Sequence, residues 1–170
     1  MYKGNVRAIG CLFIFVVLLG SLIFANTSIL NSVAFAGANK SELHKDDFMI
    51  KDFGVANDGN PFLTVVGNPG RSTPQNENTG YAYIFETDKG TYAVTSDWMY
   101  PKWHAHEITL DENNCIGSMD MKGGAEVSNM VKVTRTNASV VDKVMTAEFS
   151  INSDDGSICP TKIFDSAPQR

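Results

Sequence analysis

The chain has 170 residues and a formal net charge of −5, and 43% of its residues are hydrophobic and 10% aromatic. The acidic balance excludes a strongly basic nucleic-acid binder, because neutralising phosphates requires a surface rich in Lys and Arg. The apolar and aromatic content excludes a chain that is disordered throughout, and a single long apolar run excludes a multispan membrane protein. A small exported globular domain fits these limits.

The N-terminal segment has the layout of a secretory signal. Lys3 and Arg7 precede an apolar run from Ile9 to Phe24. A positive flank followed by an apolar run and then by small residues is typical of a signal peptide. The small residues of Val33-Ala34-Phe35-Ala36 predict cleavage after Ala36, and a cut after Ala25 is the second choice.

An uncleaved N-terminal anchor is the alternative, since the apolar stretch extends toward the roughly 20 residues that a membrane span needs. The protein is therefore predicted to be secreted or extracytoplasmic, and membrane-anchored if the segment is retained. The chain divides into a signal peptide at residues 1–36, a loose polar lead-in at 37–47 and a β domain at 48–170.

The use of cysteine agrees with export. Removal of the signal leaves Cys115 and Cys159, and two thiols in an oxidising compartment predict one disulfide. The bridge would close a loop of about 45 residues and contribute about 4 kcal/mol in the chain-entropy model. A thiol metal site is the alternative, but the sequence has no Cys-x-x-Cys and neither cysteine has a histidine close by.

From Phe48 onward, apolar residues come in short runs rich in β-branched and aromatic side chains, separated by turn signals. Residues 81–85 alternate between larger aromatic and smaller side chains, which is the period of a strand. Asp88-Lys89-Gly90 is a tight-turn signal and joins this strand to a second one at Thr91–Ser96. The sequence therefore predicts a hairpin here.

The remaining segments extend this pattern. Residues 71–79 are polar and predict a surface loop, and Val140–Phe149 is the one stretch that also fits helix faces. Short strands without a sustained helical period predict an all-β fold of about eight strands, either an antiparallel β-sandwich or a small barrel, with one disulfide. The further predicted strands are Pro61–Val66, His104–Leu110, Cys115–Met121, Val127–Thr136, Val140–Ile151 and Ser157–Phe164.

His104 and His106 form the candidate chemical site. Residues two apart on a strand point to one face, so the two imidazoles are expected to project together. Two imidazoles can chelate one zinc or copper ion. Ile108 and Leu110 continue the same face as core residues, which predicts that the histidines lie at the rim of the apolar interior.

Further donors would decide which metal binds. Met119 and Met121 share a strand face, and thioethers beside two histidines favour copper, whereas carboxylates favour zinc. The competing interpretation is a histidine pair that only hydrogen-bonds within a polar rim, with methionines that fill the core. The other candidate donors are Asp97, Met99, Glu107, Asp120 and His44.

Two other patterns have both a functional and a structural interpretation. Asn137-Ala138-Ser139 matches the N-glycosylation acceptor pattern and also fits a surface turn. Trp98, Tyr100 and Trp103 lie beside the histidines in sequence, where they form either a binding platform or an anchor for the edge of the core.

Four short motifs of this chain resemble those of a group of small exported archaeal proteins. The motifs are Trp103-His104-Ala105-His106, Thr109-Leu110-Asp111, Asn114-Cys115 and Ile158-Cys159. The resemblance spans roughly residues 81–165. It implies an extracytoplasmic setting in an archaeal envelope, and it brings no activity and no catalytic residue.

Three functional hypotheses follow. The first is a metal-binding accessory or sequestering module that takes copper or zinc. The second is a structural or interaction domain of the cell envelope, whose partner is an envelope protein or a membrane complex. The third is a metal-dependent enzyme, for which the sequence offers no nucleophile elbow, phosphate-binding loop or dinucleotide glycine pattern. A nucleic-acid partner is not expected.

Overall fold

The computed structural model describes residues 43–169 except residues 73, 75, 98, 122 and 123. The predicted signal peptide, its cleavage site, most of the lead-in and Trp98 lie outside the described residues. Within the described part, no helix has the length and apolar character needed to cross a membrane.

The described residues form ten antiparallel strands and one short 3₁₀ helix, with no α-helix among them. The all-β prediction is confirmed, and the stretch that also fitted helix faces is a strand. The 3₁₀ helix is Lys45–Phe48, and the strands are β1 Ile50–Val55, β2 Pro61–Val65, β3 Thr79–Thr87, β4 Gly90–Asp97, β5 His104–Leu110, β6 Ile116–Met121, β7 Ala125–Val127, β8 Val131–Val133, β9 Val141–Ile151 and β10 Ile158–Pro168.

The strands build two sheets. A four-stranded sheet has the order β1-β2-β8-β7, and a closed six-stranded barrel has the order β10-β6-β5-β4-β3-β9. The sequence left a sandwich and a barrel open as alternatives. The structure combines them, since the four-stranded sheet packs on the outside of the barrel and shares an apolar cluster with it.

One predicted strand is wrong. The sequence predicts a single strand over Val127–Thr136, whereas the structure has β7 and β8, which pair with each other so that Val127 lies opposite Val131. The amide of Ser128 donates to the carbonyl of Met130 at 3.0 Å and closes a tight turn between them. The apolar residues on both sides of this turn masked it in the sequence pattern. The predicted turn between β3 and β4, by contrast, is confirmed.

Apolar side chains cover both faces of the barrel wall. Along β3, Tyr81, Tyr83 and Phe85 face the four-stranded sheet, and the alternate residues Ala82 and Ile84 face the barrel interior. Because β3 is buried on both faces, its sequence is almost continuously apolar and does not alternate between apolar and polar residues. The buried residues of the interior are Ala82, Ile84, Ala93, Ile108, Met145, Ala147 and Phe149.

The 3₁₀ helix fills the space between the two sheets with Phe48. This side chain is fully buried, and its ring centroid lies 5.0 Å from that of Tyr81 and 4.5 Å from that of Phe164. The hydroxyl of Thr146 on β9 donates to the Phe48 carbonyl at 2.7 Å. Phe48 and its neighbour Asp47, which we call the Asp47–Phe48 plug, thus connect the lead-in to the barrel.

The Asp47 side chain is fully buried, and its carboxylate accepts hydrogen bonds from several donors. The Arg71 guanidinium donates to it at 3.1 and 3.2 Å, the Ser72 hydroxyl at 3.0 Å and the Asn68 amide at 2.9 Å. Asp47 belongs to the predicted loose lead-in and Ser72 to the predicted surface loop, yet neither side chain is exposed. The local sequence is polar and therefore suggested exposure. The partners that enclose the carboxylate are more than twenty residues away in sequence, so local polarity does not reveal them.

The predicted disulfide between Cys115 and Cys159 is present, with the two Cα atoms 4.1 Å apart. It lies at the junction of β6 and β10, where the barrel closes. Among the described residues, β6 and β10 pair at one position, where Ile116 lies opposite Ile158. By contrast, β9 and β10 pair along almost their whole length. The covalent bond therefore holds the barrel seam where backbone pairing is scarce.

Replacing both cysteines, as Cys115→Ser with Cys159→Ser, should lower the free energy of unfolding by about 4 kcal/mol, because the bridge restricts the unfolded chain. Amide hydrogen exchange should rise first in β6 and β10, since these strands form the weakly paired seam, while β3 and β9 serve as the internal reference. Urea denaturation and exchange mass spectrometry measure the two effects. Unchanged protection of β6 would contradict a role for the disulfide in closing the barrel.

Candidate metal site at the mouth of the barrel

His104 and His106 lie at the start of β5 and face the barrel interior, on the same side of the strand as Ile108. Their rings meet edge to face with centroids 4.8 Å apart. The predicted placement of both imidazoles on one face, beside the apolar interior, is therefore what the structure shows. The pair lies at the mouth of the barrel, where β5 begins.

The neighbouring strand β4 makes room for these rings. Ala93 lies opposite His106 and Thr95 lies opposite His104. Because directly opposed residues of an antiparallel pair share a face, the small Ala93 side chain leaves space for the His106 ring. His106 is consequently only 9% exposed.

Hydrogen bonds fix the tautomer of His104. Its Nδ1 lies 2.8 Å from the carbonyl oxygen of Lys102, and since a carbonyl only accepts, Nδ1 carries the proton and donates it. In the neutral ring, Nε2 therefore carries no proton and accepts a hydrogen bond from the Thr95 hydroxyl at 3.2 Å. Metal-binding histidines characteristically donate their other ring nitrogen to a carbonyl in this way.

His106 has a buried nitrogen without a partner. Its Nδ1 is the one buried side-chain nitrogen or oxygen among the described residues that makes no hydrogen bond, while the ring hydrogen-bonds to the backbone of Asp120. Leaving a buried polar group unsatisfied costs about 1–3 kcal/mol. A ligand that accepted the lone pair of this nitrogen would recover that cost.

Burial lowers the pKa of His106, and repulsion from the neighbouring His104 lowers it further. The hydrogen bond to the Asp120 backbone and the negative charge of Asp97 oppose this effect. Since the ordinary histidine pKa is about 6.5, the His106 ring is neutral at pH 7. A neutral imidazole is the form that binds metal.

Both predicted methionines share the face of the histidines. Met121 on β6 lies directly opposite His106, and Met119 lies opposite Ile108. Met121 is 73% exposed and Met119 is 38% exposed, so neither side chain fills the core. Both methionines therefore lie on the face of the sheet that carries the two imidazoles.

The other candidate donors are scattered. A carboxylate oxygen of Asp97 lies 3.8 Å from Nε2 of His104, but Glu107 and Asp120 oppose each other on the alternate face of β5 and β6. His44 precedes the Asp47–Phe48 plug, where its amide binds Ser72. Within the part of the chain described here, no group of three or more His, Cys, Asp and Glu side chains could hold a metal ion.

Two features of this site have no strong local signal in the sequence. Thr95 was not among the predicted residues, although the hairpin register that places it opposite His104 could have identified it. The Lys102 carbonyl is a backbone group, so residue type gives no indication of it. Both groups orient the His104 ring, and the Thr95 contact depends on the pairing of β4 with β5.

The aromatic residues beside the histidines separate in the structure. Trp103 packs on the opposite face, with its ring centroid 5.0 Å from that of Tyr83, and its Nε1 donates to the Gly70 carbonyl at 3.0 Å. Tyr100 is 63% exposed, and its ring centroid is 6.0 Å from that of His104. Trp103 is thus an anchor of the core, and Tyr100 borders the site.

Asn137 is exposed between β8 and β9, in the left-handed backbone region with φ of 53°. Asparagine tolerates this region better than most residues. The position is a surface turn, as expected for the acceptor pattern, and glycosylation there stays a prediction.

No family model, curated protein or solved structure matches this chain. The resemblance to small exported archaeal proteins therefore stays a prediction.

The low pKa of His106 makes stability depend on pH. As pH falls below about 6.5, the unfolded chain binds the His106 proton before the folded protein does, so the free energy of unfolding should decrease until the folded pKa is passed. Denaturation at a series of pH values should show this slope, and His106→Asn should reduce it. An NMR titration in which the His106 ring takes its proton at or above 6.5 would contradict the interpretation.

Proposed function

We propose that this protein is an exported, extracytoplasmic domain that binds copper or zinc through His104 and His106 and acts as an accessory or sequestering module. The observation that carries the proposal is the buried Nδ1 of His106 without a hydrogen-bond partner, next to a His104 ring whose tautomer leaves Nε2 with a lone pair. Two imidazoles side by side are a chelating pair.

The environment of the pair supports exchange of a bound ion with solvent or a partner. The His104 side chain is 20% exposed, and Met121, which lies opposite His106, is mostly exposed. A metal at this mouth would be held by buried and half-buried nitrogens on one side and open to solution on the other. Such a site suits binding and handover more than a reaction that must exclude water.

Two features support the extracytoplasmic part of the proposal. The Cys115–Cys159 disulfide is typical of oxidising compartments outside the cytoplasm. The sequence of the first 36 residues has the layout of a secretory signal. The resemblance of the histidine and cysteine motifs favours an archaeal envelope as the setting.

A second candidate function, an interaction domain for an envelope or membrane-complex protein, has its own structural observation. Strand β1 is an edge of the four-stranded sheet and borders an open groove of about 630 Å³, whose other side includes Val141, Asp165 and Ala167. An edge strand can pair with an extended segment of another protein. This candidate is favoured if the protein carries no metal.

Protein purified from its native host without chelators should contain copper or zinc in near-stoichiometric amount by elemental analysis. His104→Ala with His106→Ala should abolish binding, and affinity should fall as the pH is lowered because a protonated imidazole cannot act as a ligand. His44→Ala, a histidine at the Asp47–Phe48 plug, is the matched control and should bind as the wild type does. Binding that survives the double substitution would place the metal elsewhere.

Export predicts a mature protein that begins at or near Gly37, because signal peptidases cut after small residues at the −3 and −1 positions. N-terminal sequencing and intact mass of the protein from its host measure this. A protein that retains Met1 would favour the uncleaved anchor instead.

A further inference from the structure

We infer that the ion bound here is monovalent copper, held by His104, His106 and the thioether of Met121. This inference rests on the proposed function and adds to it the identity of the metal and of the third donor. It is based on the donor atoms that the fold brings together at the mouth of the barrel.

The available donor set suits a soft ion of low coordination number. Structural zinc takes four nitrogen, sulfur or oxygen ligands, and catalytic zinc takes three protein ligands. The described residues contain no cluster of three His, Cys, Asp and Glu side chains that could supply them. They do provide two imidazoles with their rings 4.8 Å apart, and thioethers share the same face. Thioether ligands select copper in its monovalent state.

Met121 is the methionine placed to complete the site. It lies directly opposite His106 across the β5–β6 pair, and Cβ atoms of such pairs are about 4.5–5.5 Å apart. Its side chain has three rotatable bonds, and because it is 73% exposed, it can turn toward the histidines without leaving a cavity in the core. Met119, opposite Ile108, is one step farther along β6.

Asp97 supplies a compensating charge. One of its carboxylate oxygens accepts a hydrogen bond from the Tyr100 amide at 2.8 Å, and the other lies 3.8 Å from Nε2 of His104. The carboxylate is thus held beside the imidazole pair by the loop that follows β4. Its negative charge would stabilise a cation on the two nitrogens through a short-range attraction.

The test compares four ions on the metal-free full-length protein. Cu(I) is supplied anaerobically in competition with a chromophoric Cu(I) chelator, Ag(I) serves as its redox-inert counterpart, and Zn²⁺ and Cu²⁺ are titrated calorimetrically. We expect Cu(I) and Ag(I) to bind more tightly than Zn²⁺. X-ray absorption at the copper edge should show both nitrogen and sulfur neighbours.

Met121→Leu should weaken Cu(I) binding at least about tenfold, a loss seen even for groups that only support a metal ligand, and should remove the sulfur signal. This near-isosteric change keeps the side-chain volume, so folding is preserved. Met130→Leu is the matched control, since Met130 lies in the turn between β7 and β8 of the four-stranded sheet. It should leave Cu(I) affinity unchanged.

The outcomes separate this inference from the proposed function. Zn²⁺ binding as tight as Cu(I), with dependence on both histidines, would overturn the copper assignment and leave metal binding intact. Loss of Cu(I) affinity in Met119→Leu but not in Met121→Leu would overturn the choice of the third donor. A protein that binds none of the four ions would overturn the proposed function itself.

Discussion

The burial of Asp47 and Phe48 between the two sheets is the constraint on which the rest of the domain depends. The Asp47 carboxylate is enclosed by Arg71, Ser72 and a backbone amide, and the adjacent Phe48 ring packs against aromatic residues of the barrel wall. Because the Asp47 side chain is fully buried whereas that of Arg71 is half exposed, loss of these donors would leave a buried carboxylate unpaired, which destabilises the fold. The plug therefore joins an otherwise open four-stranded sheet to the barrel through both charge and apolar contact.

Side-chain packing on the outer face of the barrel determines which side chains its inner face can hold. Because the plug and the four-stranded sheet bury large aromatic residues on the outside of β3 and β4, much of the domain's apolar burial is achieved there. The interior consists largely of alanine and aliphatic residues. A small residue such as Ala93 leaves space for the His106 ring at the mouth, where a polar group is retained beside an apolar core.

Periodicity and residue type predicted much of the fold and part of the site. Strand β5 lies at the residues expected from its sequence, the β3–β4 hairpin turns at Asp88-Lys89-Gly90, and the disulfide joins the expected cysteines. Strand alternation also predicted that His104 and His106 share a face, because side chains of a strand have a period of two. The strands and the turn depend on residues that are close in sequence, and the disulfide depends on the thiols of Cys115 and Cys159.

The sequence by itself thus determined the β class, the covalent bridge and the shared face of the histidines, whereas tertiary structure decided burial and topology. The Thr146 hydroxyl that binds Phe48 is 98 residues away from it, and no local pattern indicates such a pairing. The unpaired nitrogen of His106 depends on the strands that surround it at the mouth of the barrel. Each of these is set by groups that approach one another only when the chain has folded.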